Sequence, residues 1–184
     1  VPYIEYGAME ILHEQLDNGN IEFTVNPSYI KDSDVVAIML GTPVDEENNP
    51  RLNDLFNFVD YTLIPFMKKG TLVLLRSTVA PGTTERVRDR IFDKSGWIEG
   101  QDYHLVFCPE RVLQTRSIEE TQTLPQLIGA FGEISYHVAK VFNLTYNQSE
   151  QIHLTPREAE IGKLMTNMYR RSEEHTSELQ SHHD

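Results

Sequence analysis

The 184 residues predict an α/β fold built on a mostly parallel sheet, and three observations carry that expectation. From Ile21 onward, short apolar runs alternate with longer amphipathic ones, the pattern of strands separated by helices. The runs DVVAIML (34–40) and TLVLLRS (71–77) are continuously apolar rather than alternating, as central strands covered on both faces require. Each run also ends in a turn signal, Gly41-Thr42-Pro43 after the first and Ser77-Thr78-Val79-Ala80-Pro81-Gly82 after the second.

Taken in order, Pro2 and Gly7 bracket a loop that leads into a helix over AMEILHEQLDNG. After the first strand, LNDLFNFVDYTLIPFMKKG places Leu52, Leu55, Phe56, Val59, Leu63 and Phe66 at helical spacing. Lys68 and Lys69 fall in its last turn, Gly70 past its end, and Pro65 is expected to bend it near its close. The second strand precedes a helix over TTERVRDRIFDKSG, capped by Thr83 or Thr84 with Glu85 following. Then come YHLVFCP and PQLIGAF as strands, EISYHVAKVFN as a helix and QIHLT as a strand. The final helix, PREAEIGKLMTNMYR, has Thr155 as N-cap, Pro156 at its first position and Glu158 in its first turn. The alternation begins mid-pattern, as if an initial βαβ unit were missing.

Charge and composition exclude several classes. A net charge of −12 argues against a nucleic-acid partner, because phosphate neutralisation needs clustered Lys and Arg. No apolar run has the length of a membrane span, and the first residues lack the pattern of a signal peptide, so no membrane partner is expected. The single cysteine, Cys108, rules out an internal disulfide and points to a reducing, cytoplasmic location. No ladder of Cys and His stands at metal spacing, so no metal is expected. The segment RSEEHTSELQSHHD has one apolar side chain, Leu179, in fourteen residues. Arg171 to Ser181 also match the translation of a sequencing-adapter oligonucleotide, so 171–184 is expected to be a non-native, disordered tail, and its His175, His182 and His183 carry no metal argument.

In an open parallel sheet, ligands bind beyond the carboxyl ends of the strands, so the fold gathers three loops at one edge. These are Gly41-Thr42-Pro43, the loop from Ser77 to Gly82, and Cys108-Pro109-Glu110-Arg111. Each by itself reads as a capping turn, and Glu110-Arg111 as a solvated ion pair; it is their convergence that favours a site. The last helix adds Lys163 and Asn167, whose i, i+4 spacing puts an ammonium and an amide on one face. Glu158 and Glu160 offer the plainer alternative of pairing with that lysine.

The blocks LGTP, DL (54–55), STVAPGTT, CPERVLQ, LPQLIG and EAEIGKLMTNMYR, in that order, resemble the nucleotide-sugar dehydrogenase family. Its members oxidise UDP-glucose, UDP-N-acetylmannosamine or GDP-mannose to the uronic acid, and the PERVLQ and LPQLIG blocks are similar in flavour to members acting on UDP-N-acetylmannosamine. The resemblance covers essentially Val1 to Arg170. It implies a Rossmann-type sheet, incomplete at its N-terminus, over residues 1–154 as a partial NAD-binding domain, then the start of a long central helix over 155–170. It also implies a homodimer in the full-length parent and a cytoplasmic place in polysaccharide biosynthesis.

For the residues, the resemblance implies that Thr42, with Pro43, borders the cofactor NAD, and that Ser77 and Thr78 lie by the nicotinamide, Thr78 helping to hold a water. Glu110 is implied as the base or water-positioner for thioester hydrolysis, and Arg111, Val112, Leu113 and Gln114 as contacts to the sugar nucleotide. Lys163 and Asn167 are implied to stabilise the developing oxyanion and bind substrate. The residue types suit that chemistry, since an alcohol oxidised twice through a thioester needs a cation and a neutral donor at the oxygen and an ordered water.

Four departures stand out. The glycine-rich phosphate loop and acidic ribose ligand do not appear in this sequence, nor does the Gly-Gly-x-Cys block with the nucleophilic thiol. Cys108 is not that cysteine and is expected to be a small buried strand-end residue. Thr115 stands where the family commonly has Gly, and GAF replaces a Gly-Gly pair at Gly129. This polypeptide is therefore expected to form no NADH from any nucleotide sugar. Two rivals remain. A 3-hydroxyacid or 6-phosphogluconate-type dehydrogenase would need no Pro-Glu-Arg block, and a non-catalytic nucleotide-binding module would leave Lys163 facing solvent away from Thr78 and Glu110.

Overall fold

The computed structural model describes residues 5–43, 46, 50–113 and 115–181, with the backbone alone for 171 and 173–181. Five strands form one sheet in the order β1-β2-β3-β4-β5: β1 Val35–Ile38, β2 Leu72–Leu75, β3 His104–Phe107, β4 Gln126–Ala130 and β5 Gln151–Leu154. β1, β2 and β3 are mutually parallel, β4 is antiparallel to β3, and β5 is parallel to β4. The mostly parallel α/β architecture is thus present.

The continuous apolarity of β2 and β3 follows from covering on both faces. Val73, Leu75, Leu105 and Phe107 enter one core with Leu55, Val59, Leu63, Val87, Ile91 and Ala159. Leu72, Leu74, Val106 and Cys108 point the other way, onto Ile128, Tyr136 and Ala139. Successive residues of a strand alternate faces, so a strand with a core on each side can spare no polar position.

β1 departs from expectation. Among the five described strands it lies at one end of the order, with β5 at the other, and not at the centre. Val35 and Val36 are only half-buried, Ala37 is exposed, and Met39 just beyond is 69% exposed. An apolar run records the burial a strand can sustain, whereas its burial in this structure is set by what lies alongside it.

Helix α1 (Ala8–Asp17) precedes a single 3-10 turn over Pro27–Asp32 that sequence reading missed. The predicted helix after β1 divides into α2 (Asn53–Phe58), a π turn (Val59–Leu63) and a short α3 (Ile64–Phe66). Pro65 explains the break: its ring lacks an N–H and would collide with the carbonyl four residues back, so the preceding turn widens. Lys68 and Lys69 therefore lie beyond the helix, where they pair with Asp34 and Asp102, each at 2.8 Å. Helices α4 (Thr83–Ser95) and α6 (Glu133–Asn143) occur as expected, and α5 (Ser117–Thr123) is an addition.

The final helix α7 spans Pro156–Ser181 and so runs on past Arg170, through residues expected to be disordered. Once nucleated, a helix extends through residues of good propensity such as Glu, Gln, Leu and Arg at little cost, with no apolar face required locally. β4 and β5 run against the first three strands, so α7 heads back toward the edge where β1, β2 and β3 end. Gly129 permits this path. A Cβ there would lie 2.8 Å from both the Pro156 Cα and the Ala159 Cβ, so only glycine lets α7 start this close to β4. Ala130, at the second position of the expected Gly-Gly pair, packs into the core without such a conflict.

Candidate active site at the strand ends

β2 ends in Leu75, and the chain continues as Arg76-Ser77-Thr78; β3 ends in Phe107 and continues as Cys108-Pro109-Glu110. Leu75 and Phe107 are register partners, and the Cys108 amide donates to the Leu75 carbonyl at 2.9 Å, so the two exits leave the sheet side by side. On the other flank, the Thr42 hydroxyl donates to the Thr78 carbonyl, which ties the β1 exit to the β2 exit. Ser77 is buried and its hydroxyl donates to the Ile38 carbonyl at 3.4 Å. Pro43 is exposed beside them.

α7 supplies the lid of this corner. Lys163 is only 9% exposed, and its ammonium donates to the backbone carbonyl of Glu110. Two turns later on the same face, Arg170 donates to the carbonyls of Arg111 at 2.6 Å and Val112 at 3.4 Å. Three consecutive carbonyls of the loop are thereby held by one helix face. Asn167, half-buried, lies between the two cations on that face. The alternative pairing for Lys163 is not what the structure contains. Glu158 bonds the amide and hydroxyl of Thr155 at 2.8 and 2.7 Å, and Glu160 bonds the start of α4.

Burial lowers the proton affinity of Lys163, and the nearby guanidinium groups of Arg170, Arg111 and Arg76 lower it further against the opposing pull of Glu110. Burial likewise pulls Arg111 down, with Arg170 adding to it. The Arg111 Nη1 donates to the Pro125 carbonyl at 3.0 Å while its Nε is buried without a partner among the described residues. Arg76 pairs with the Glu110 carboxylate and Lys163 lies beside it, with Arg111 and Arg170 close to Lys163, in a protein of net charge −12. That local excess favours a negative ligand or a developing oxyanion.

The Glu110 carboxylate bonds on both oxygens. Oε2 accepts from Arg76 Nη2 at 2.6 Å, and Oε1 accepts from the amides of Arg111 at 3.0 Å and Val112 at 3.4 Å. Its side chain stays 43% exposed, open to a ligand or water. Leu113 is exposed at the loop tip, and Gln114 lies outside the described residues. Thr115 adopts a left-handed φ of 76°. This is the position where the resemblance leads one to expect glycine, which takes that conformation without a Cβ clash. Here Glu5 holds the strained turn, its carboxylate accepting from the amides of Thr115 and Ser117 at 2.8 Å each.

The structure therefore brings Glu110 and Lys163 into direct contact and joins Thr42 to Thr78. Thr78 follows Arg76 by two residues, and its carbonyl is bonded to Thr42 rather than to the Glu110 and Lys163 corner. Cys108 is fully buried, and burial pushes its thiol up despite Arg76 beside it, so it is no nucleophile. Sequence reading missed Arg76, Glu160, Arg170 and Glu5. Only Arg76 carried a local signal, a charge closing an otherwise apolar strand. Arg170 could have been found from its place seven residues after Lys163.

Helix α4 begins at this same edge, and its N-terminus, ordinarily a place for phosphate, is filled by Glu160. That carboxylate is fully buried and accepts from the Gly82 amide at 2.5 Å, the Thr84 amide at 2.8 Å and the Thr84 hydroxyl at 2.6 Å. The expected Thr83 or Thr84 cap is thus replaced by Gly82 at the cap position and a carboxylate from another helix. Among the described residues, no helix is long and apolar enough to cross a membrane, and no group of three or more His, Cys, Asp or Glu is placed to hold a metal ion.

Residues 1–147 match the family described as UDP-glucose/GDP-mannose dehydrogenase family, NAD binding domain. A UDP-N-acetyl-D-mannosamine dehydrogenase of Methanococcus aeolicus is 28% identical over 168 residues, 90% of this chain and 37% of that protein. Among solved structures, the UDP-D-ManNAc dehydrogenase of Pyrococcus horikoshii superposes with a TM-score of 0.87 at 29% identity, covering 92% of this chain and 40% of that one. The UDP-N-acetyl-mannosamine dehydrogenase Cap5O of Staphylococcus aureus gives a TM-score of 0.83 at 31% identity, covering 92% and 41%. The chain thus spans about two fifths of the length of these relatives.

Proposed function

The chain belongs to the UDP-glucose/GDP-mannose dehydrogenase family, and from that premise we propose that it serves an NAD-dependent enzyme that oxidises a nucleotide sugar. The reaction is the four-electron oxidation of the primary alcohol of a UDP-sugar, UDP-N-acetylmannosamine or UDP-glucose, to the carboxylate, in a cytoplasmic homodimer. The observation that carries this reading is the contact between Lys163 and the Glu110 carbonyl, which puts the helix cation against the carboxylate loop.

NAD, when bound, supplies the hydride acceptor for both oxidation steps. Of its contacts, these residues offer Thr42, Pro43, Ser77 and Thr78 at the β1 and β2 exits. The N-terminus of α4 does not fit a phosphate, because Glu160 already occupies it. Thr78 orients a water at the nicotinamide side. Lys163 stands where negative charge develops on the substrate oxygen, and its lowered proton affinity lets it take and return a proton there. Asn167 adds a neutral donor on the same face. Glu110 holds the water that hydrolyses a thioester, whose sulfur comes from a cysteine other than the buried Cys108. Arg111, Val112, Leu113 and Gln114 line the approach of the sugar nucleotide.

The test is NADH formation by the complete protein that carries these residues, given a panel of nucleotide sugars. Two NADH per sugar are expected from one UDP-sugar, with loss of turnover in Lys163→Ala. No NADH with any nucleotide sugar, or one NADH per sugar with release of an aldehyde, would overturn the reading.

A further inference from the structure

Arg76 is a buried cation that neither the resemblance nor the chemistry above assigns. Its backbone is fixed by the sheet edge, where its amide donates to the Ile38 carbonyl at 2.9 Å. Its side chain is 9% exposed and extends to Glu110 Oε2 at 2.6 Å. Nη1 of the same guanidinium faces the Tyr146 hydroxyl at 3.4 Å. That hydroxyl donates to Asn143 Oδ1 at 2.8 Å, and Asn143 donates to Gln151 Oε1 at 3.1 Å. Asn143 is fully buried and Gln151 is 9% exposed, so the far side of the guanidinium rests on an ordered polar chain from α6 and β5.

We propose that Arg76 is the positioning residue for Glu110, fixing the direction of its carboxylate so that its open face meets the bound water. This rests on the hydrolytic role proposed for Glu110. A glutamate on a loop ordinarily samples several rotamers. Here the guanidinium fork holds Oε2 while two loop amides hold Oε1, and charge-assisted bonds of this length are the stronger kind. Lys163 holds the same residue by its carbonyl, so the backbone and the side chain of Glu110 are anchored by separate cations. Sequestering an arginine from water is costly unless its partners are well placed, and a solvated ion pair on the loop would require neither the burial nor the Tyr146 contact.

Beside Glu110 stand Arg76 from the β2 exit and Lys163 from α7, with Tyr146 and Cys108 on the far side of Arg76, and Arg111 and Arg170 close to Lys163. The first arm of the test uses this chain alone and needs no nucleotide sugar. Amide exchange at Arg111 and Val112, whose N–H groups donate to Glu110 Oε1, is followed by NMR in wild type, Arg76→Lys and Arg76→Met. Arg76→Met is expected to raise the exchange rate about tenfold, with Arg76→Lys in between. Both variants are expected to speed exchange at the two amides. Unchanged exchange at both amides in Arg76→Met overturns the proposal. Should Arg76→Met not fold, Arg76→Lys is compared with wild type: faster exchange supports the role and unchanged exchange overturns it.

The second arm uses the complete enzyme. Arg76→Met should lower kcat on the order of a hundredfold with KM nearly unchanged, and should add no further loss in a Glu110→Gln background. Independent, additive losses would mean that Arg76 acts on the fold rather than through Glu110. A protein with no nucleotide-sugar activity would sink the proposed function but leave the first arm standing, so the two failures are separable.

Discussion

Two helices begin near the candidate site, and they are closed in opposite ways. At α7 the cap is local: the Glu158 amide donates to the Thr155 hydroxyl oxygen at 3.3 Å, and the Glu158 carboxylate accepts from Thr155 in return. At α4 the cap comes from Glu160, 76 residues away from Thr84 in the chain. The local cap is exposed and stabilises one helix. The remote cap is buried and joins the start of α4, just after the loop of Ser77 and Thr78, to the helix of Lys163 and Asn167, so it holds the two halves of the candidate site in register. A capping interaction made across the fold thus does what a local one cannot.

The contrast is tested most sharply by removing the remote carboxylate. Glu160→Ala leaves the Gly82 and Thr84 amides without their acceptor, two of the donors in a buried setting, and is expected to cost about 3 kcal/mol in denaturant unfolding. If it cost no more than the local cap does, the bridging role would fail. Gly129→Ala is next, since α7 cannot back away from β4 without moving its cap. Overpacking there is expected to cost about 2 kcal/mol, read as a lower midpoint with the slope unchanged. Thr155→Ala, at the local cap, should cost only about 1 kcal/mol.

Acid provides a fourth comparison. The amide and hydroxyl of Thr155 hold the Glu158 carboxyl below its usual value of 4.5, against a smaller opposing effect of burial. A depressed carboxyl stabilises the fold fully above its unfolded value and loses that contribution as pH falls through the folded one. The difference in melting temperature between wild type and Glu158→Gln should therefore be largest above 4.5 and shrink on acidification below it. A difference that grew at low pH would contradict this sign. The smallest effect is a gain: Thr115→Gly should stabilise by about 0.5 kcal/mol, as relief of the left-handed strain slightly exceeds the entropy of a freer unfolded chain. Equilibrium unfolding measures it, and a loss of stability would show that the Thr115 side chain has a role beyond the turn.

The placement of the candidate residues was legible in the sequence where it depended on strand ends and helical spacing. Thr42, Thr78 and Glu110 follow apolar runs that stop at turn signals, and a parallel sheet leaves no choice about which edge those stops share. Lys163 stood out by its apolar neighbours on α7. Arg76 was visible as a charge closing a buried strand, but its purpose was not, because nothing near it in the chain is its partner: Glu110 lies 34 residues on and Tyr146 lies 70.

The sequence by itself determined the α/β alternation, the burial of β2, and the local cap of α7, because each depends on residues within a few positions of one another. Only the tertiary structure decided that β1 lies at one end of the five described strands, that Glu160 caps α4, that Gly129 admits α7, and that Arg76 meets Glu110. Those outcomes depend on which surfaces face each other after folding. Side-chain reach is short and directional, so a charge finds its partner by position in space, which residue order constrains only through the fold.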